Sequence, residues 1–202
     1  MNTKELIARV GGVYRNAAVY VDRGRLALVD ADGNPRGTEW QATFRTAFER
    51  SRRFEFVFQP SSGSPHSIRA EHGHSARVAF RGERQPSTTL DLAVASLTGV
   101  TLGVAHAMAG LLMPGEISGV ELWNLGSGRA VGQRPETIDG EPCSVVQLSF
   151  EQTEVSVRER DFAIVRITRR FETMRGRKRG NLCRTISYEP TIYLDTPSDI
   201  GG

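Results

Sequence analysis

Between Leu92 and Met113 the chain carries a single ionisable side chain, His106, in a run otherwise made of Leu, Val, Ala, Met, Gly, Ser and Thr. Such a segment has no polar flank to offer water, so both of its sides need apolar cover. Leu97, Val100, Val104, Met108 and Leu111 recur at helical spacing, and Leu102, Ala105, Ala109 and Leu112 form a second stripe. Gly99 and Gly103 divide the run into two short helices, and Pro114-Gly115 ends the second. The fold is constrained by what covers these helices.

The cover is legible in the strands that precede them. Val19 to Asp30 reads as a strand closed by the turn Asp32-Gly33-Asn34-Pro35, and Glu39 to Glu49 returns from it. Alternation places Trp40, Ala42, Phe44 and Phe48 on one face of the return strand. Arg53 to Gln59 then sets Phe54, Phe56 and Phe58 on one face, giving one side of a sheet five Phe and one Trp. Ser67 to Glu71 and Ala76 to Phe80 continue as a hairpin around Gly73. These short connections predict an antiparallel meander rather than strands alternating with helices.

Before the strands, Leu6, Val10, Val13 and Tyr14 line one stripe of a helix over Thr3 to Asn16, with Lys4, Glu5, Arg9 and Arg15 on its wet side. After the apolar run the pattern returns to strands at Val120 to Leu125, Ser144 to Phe150, Glu154 to Arg160, Phe162 to Glu172 and Leu182 to Tyr188. Ile138 to Pro142 reads as a turn leading into these strands, and Met174 to Asn181 as a basic loop. No internal repeat is visible.

The expected class is therefore mainly β with a minor helical part: a curved antiparallel sheet forming an unclosed half-barrel, covered by an N-terminal helix and a central helical lid. At 202 residues, 39% hydrophobic and 24% charged, the chain suits a single folded domain over 1–202. A net charge of +3 is mild. No aromatic residue interleaves with Arg175, Arg177, Lys178 and Arg179, so nucleic acid is not an expected partner.

Chemistry-bearing motifs are sparse. No nucleophile elbow, phosphate-binding loop or dinucleotide fingerprint occurs, and no cofactor is expected. His66, His72 and His74 form a cluster that reads as solvent-facing hairpin histidines; as metal ligands they would need distant help from His106, so no metal site is expected. Asp22, Asp30 and Asp32 sit near a hairpin without an evident acid/base pairing, and Cys143, entering a strand after Pro142, reads as structural rather than nucleophilic. Cys143 and Cys183 allow either one disulfide or two buried thiols. Met1 to Arg9 shows no secretory leader, which leaves the cytoplasm and an envelope protein with its leader removed equally open.

The order of helix, strands, helical lid and further strands, from about Leu6 to Tyr193, resembles the bacterial outer-membrane lipoprotein-sorting proteins, the LolA/LolB-like fold. The most specific piece is Phe48-Glu49-Arg50-Ser51-Arg52-Arg53-Phe54-Glu55-Phe56, similar to that family's aromatic, Arg-Pro, aromatic strand pair, with Ser51 where proline is usual. Ser67 to Phe80 is a second match, with His72-Gly73 replacing an Asp-Gly turn. The resemblance implies a periplasmic or envelope-associated, monomeric, noncatalytic carrier or sensor. Its ligand would be a lipid, acyl chain or lipidated protein, and an envelope protein a possible partner.

It also implies that Arg50 latches the lid by binding lid backbone groups. The expected ligand-binding residues are Trp40, Phe44, Phe48, Phe54, Phe56 and Phe58 from the sheet and Val100, Val104, Met108 and Leu111 from the lid. The alternative is a structural or protein-interaction domain whose helices fill the sheet permanently. A metal-dependent hydrolase is a third class, tied to His72 and His74.

Overall fold

The computed structural model describes residues 1–30, 41–71, 75–117, 130–149, 152–175 and 178–195, the backbone alone at 171–175 and 178–181. Helix α1 (Thr3–Asn16) starts where Asn2 Oδ1 accepts the Glu5 N–H at 2.9 Å, satisfying one of the donors a helix start leaves open. It buries Leu6, Val10 and Tyr14, three members of the stripe read from the sequence.

Strand β1 (Val19–Asp30) turns Tyr20, Asp22, Leu26 and Leu28 inward and Arg23 and Arg25 outward. From it the meander runs through β2 (Gln41–Glu49), β3 (Arg53–Pro60), β4 (His66–Glu71), β5 (Arg77–Phe80) and β6 (Glu83–Arg84), each antiparallel to the one before. The helices α2 (Leu90–Thr98) and α3 (Val104–Leu112) follow. The chain then lays down β7 (Ala130–Ile138), β8 (Glu141–Leu148), β9 (Thr153–Arg158), β10 (Ile164–Arg175) and β11 (Lys178–Tyr188), and a short β12 (Thr191–Tyr193) that pairs with the start of β1.

All belong to one sheet, ordered β6-β5-β4-β3-β2-β1-β11-β10-β9-β8-β7. Its two edges, β6 and β7, are not paired with each other, so the sheet is an unclosed half-barrel. The buried faces of the strands and the three helices form one continuous apolar cluster. Within it α3 packs against α1 and α2, α2 against β4 and β5, and α1 against β7.

At the middle of the sheet Gly24 permits an approach no other residue allows. A Cβ there would stand 2.1 Å from Phe44 Cζ and 2.5 Å from the Ser187 main-chain oxygen. The Phe44 ring therefore lies against bare backbone and meets Tyr188 edge-on, with centroids 5.4 Å apart.

The turn expected at Ile138 to Pro142 is present as the tight link of the hairpin between β7 and β8, with Asp139 and Gly140 at φ 51° and 82°. Other expectations need correction. Strand β7 was missed because Gly132 and Pro135 interrupt its pattern, which an edge strand tolerates. The basic loop is mostly ladder, since β10 and β11 stay paired as far as Arg175 and Lys178. The proposed strand at Val120 to Leu125, the hairpin turn at Asp32 to Pro35, and His72 to His74 lie outside the described residues.

Candidate functional site: an arginine-held helix over an aromatic floor

Antiparallel register builds the floor. Phe44 faces Phe58, Thr46 faces Phe56 and Phe48 faces Phe54 across β2 and β3, and β4 continues the rows with His66, Ile68 and Ala70. Phe44, Phe48, Phe54, Phe56 and Phe58 are all buried on this face. Trp40 lies outside the described residues.

Helix α3, expected as the roof, shares one buried cluster with this face, and eight of its nine residues are buried, Val104, Met108 and Leu111 among them. Val100 departs from the expected stripe. It falls in the link between α2 and α3 and is 40% exposed, because the left-handed turn at Leu102 and Gly103, with φ 50° and 85°, breaks the helical phase.

Arg50 follows β2 in the turn to β3 and points to the helices. Its Nε donates to the main-chain oxygen of Ala17 at 2.9 Å, and its Nη2 to those of Tyr14 at 3.2 Å and Leu112 at 3.3 Å. The guanidinium also stacks over Phe48, 5.1 Å from the ring centroid. One cation thus binds carbonyls at the C-terminal ends of both α1 and α3, where the helix dipole favours positive charge, the Tyr14 oxygen also accepting the Ala17 N–H at 3.3 Å. Ser51 stands at φ 59°, a backbone conformation proline cannot adopt, which gives a physical reason for the departure from an Arg-Pro pair.

A second arginine holds a main-chain oxygen beside the other end of α3. Arg184 on β11 donates through Nη1 to the main-chain oxygen of Leu102, in the link that leads into α3. The same nitrogen lies 3.3 Å from where a Cβ on Gly103 would stand, so a glycine there leaves it room. Sequence reasoning did not find Arg184, since a lone arginine in a strand carries no local signal of a partner 82 positions away.

Two openings flank the roof. A cavity of about 220 Å³ lies near Arg50, lined by Phe48, Phe54, Ala70, Leu90 and Met113. A larger one of about 620 Å³ opens at the α2–α3 link, with Leu26, Ala42 and Phe58 as its floor and Val100 and Leu102 above.

His66, expected to face solvent, is buried on the inner face of β4 and borders the larger cavity. Its Nδ1 accepts the Arg81 main-chain N–H at 3.1 Å. Burial, reinforced by the Arg81 charge, holds its pKa below the usual histidine value.

Asp22, on β1 of the first hairpin, is buried inside the half-barrel. It accepts Tyr20 Oη–H at 2.6 Å and the Thr46 main-chain N–H at 2.7 Å. Burial pushes its pKa up to about 6 against the opposing effect of these hydrogen bonds. Cys143 and Cys183 are free thiols on β8 and β11, with β9 and β10 between them. Among the described residues no group of His, Cys, Asp or Glu converges as a metal set, and no helix is long and apolar enough to cross a membrane.

No family model matches the chain, and no curated protein does. Among solved structures it is similar to a LolA superfamily protein, NE2245 from Nitrosomonas europaea, at 12% identity and a TM-score of 0.36 over 99% of this chain and 97% of that one. It is also similar to MucB in complex with MucA(peri), at 9% identity and a TM-score of 0.47. The Pseudomonas aeruginosa MucA/MucB complex gives 11% identity and a TM-score of 0.45. The chain spans 58% of the matched chain in each of these two complexes. The chain runs from a leading helix through a six-strand meander and a central helix pair to a second run of strands that completes one open sheet. This is the element order that the resemblance implies, an unclosed antiparallel half-barrel with helices.

Proposed function

We propose that this protein is a noncatalytic carrier or sensor of the bacterial cell envelope that shelters an acyl chain, of a lipid or a lipidated protein, between its half-barrel and α3. The observation that carries this reading is the way α3 is held. Arg50 and Arg184 grip main-chain oxygens at its two ends, Leu112 and Leu102, through hydrogen bonds that can be exchanged for water. Lifting α3 uncovers the aromatic face of Phe44, Phe48, Phe54, Phe56 and Phe58, and a chain entering by the larger cavity takes the place of Val104, Met108 and Leu111. Each methylene it buries contributes roughly 0.8 kcal/mol, so a long chain offsets the loss of the helix's own packing. An envelope protein that delivers or receives the chain is part of this reading.

The test is a titration of delipidated protein with fatty acids and lipopeptides. One chain bound per protein with the fold retained is expected, and failure with every apolar probe contradicts the proposal.

A second reading is favoured by the near-complete burial of α3. In it the helices are permanent core, and the protein is a structural or protein-interaction domain with no small-molecule ligand. It predicts that no apolar probe binds and that α3 never exchanges independently of the sheet.

A further inference from the structure

We infer that the larger cavity is a site for a single-chain amphiphile with an anionic head group, the head held by Arg81 and His66 and the chain running inward along Leu26, Ala42 and Phe58. This inference rests on the acyl-chain reading above and adds to it the chemistry of the head.

Three observations meet at the rim. Among the described residues the cavity is lined by one guanidinium, that of Arg81, and by no carboxylate. The backbone of Arg81 is held in place, and its side chain is exposed. Its main-chain N–H is committed to His66, its guanidinium lies 5.5 Å over the Phe80 ring, and its backbone sits at φ 53°. His66 is fixed too, because a ring whose Nδ1 accepts a hydrogen bond carries its own hydrogen on Nε2 when neutral.

The rim therefore offers an N–H donor and a cation, with the Ser62 and Ser64 side chains beside them. The floor behind them is apolar. A neutral head would leave Arg81 without a charge partner in the cavity, whereas a carboxylate or phosphate meets both donors with charge-assisted hydrogen bonds. A cationic head would face Arg81 with like charge.

The experiment displaces a neutral apolar dye from the full chain with dodecanoate, dodecyl phosphate and dodecanol. At least one anion is expected to displace it at about tenfold lower concentration than the alcohol. Whichever of the two anions prevails identifies the head as carboxylate or phosphate. Arg81→Asn, chosen because asparagine tolerates positive φ, is expected to abolish the preference while the alcohol is bound as before, and Arg81→Lys to keep most of it. Equal displacement by anions and alcohol, or a preference that survives Arg81→Asn, overturns the head-group inference and leaves the acyl-chain reading standing. If neither the dye nor any of the three amphiphiles binds, both fall together.

Discussion

Arg50 Nη2 lies 3.3 Å from the main-chain oxygen of Leu112 and 3.2 Å from that of Tyr14, so a single guanidinium ties the last turn of α3 to the last turn of α1. Arg50→Ala leaves these carbonyls to water and removes the stacking on Phe48. Uptake of an apolar dye is expected to rise several-fold, with a loss of stability of roughly 1–3 kcal/mol by denaturant titration. Arg50→Lys is expected to restore only part of the hold, since an ammonium lacks the guanidinium's planar fork. Uptake unchanged from the parent protein would argue that Arg50 is no latch.

Arg184→Met keeps the aliphatic stem and removes the donor to Leu102. The amides of the α2–α3 link and the first turn of α3 are expected to exchange faster, with those near Leu112 unchanged. Releasing both ends at once acts on one helix, so the Arg50→Ala/Arg184→Met pair is expected to deviate from additivity in dye uptake. Strict additivity in that double-mutant cycle would show the two grips to be independent of any common lid.

Met108 and Leu111 are buried in α3, and truncating either to alanine is expected to destabilise the fold by about 2–5 kcal/mol. The two functional readings part on a second readout. A displaceable roof loosened in this way takes up apolar dye faster, whereas a permanent core loses stability with no gain in uptake.

Asp22 makes a prediction about pH. Its folded-state pKa, about 6, is above the value of an exposed aspartate, so folding favours its protonated form. The contribution is fully present below about pH 4 and is lost as pH rises through about 6, a span worth up to roughly 3 kcal/mol. Asp22→Asn, which stays neutral, is expected to remove that part of the decline. A parent and variant with parallel stability curves from pH 4 to 7 would contradict this placement of the carboxylate.

The sequence announces whatever rests on periodicity. The Leu6, Val10 and Tyr14 stripe marks α1, the alternating Phe residues mark β2 and β3, and Gly99 and Gly103 mark the break between α2 and α3. What it conceals depends on contacts between distant residues. Arg184 and Leu102 meet only because β11 crosses to the side of β1, and His66 is buried because β4 turns it towards Phe58 and Phe80. Val100 fits a helical stripe on paper, and only the positive φ angles of Leu102 and Gly103 remove it. Arg50 was reached through the resemblance, because nothing in its neighbours alone points an arginine at carbonyls 33 to 62 positions away.

If an acyl chain replaces α3 on the aromatic floor, amide hydrogen exchange followed with and without a saturating fatty acid registers the exchange of one for the other. Ligand is expected to speed exchange across Val104–Leu112 while β1, β2 and β3 stay protected. A bound ligand with α3 exchange unchanged, or no binding at all, would contradict that replacement.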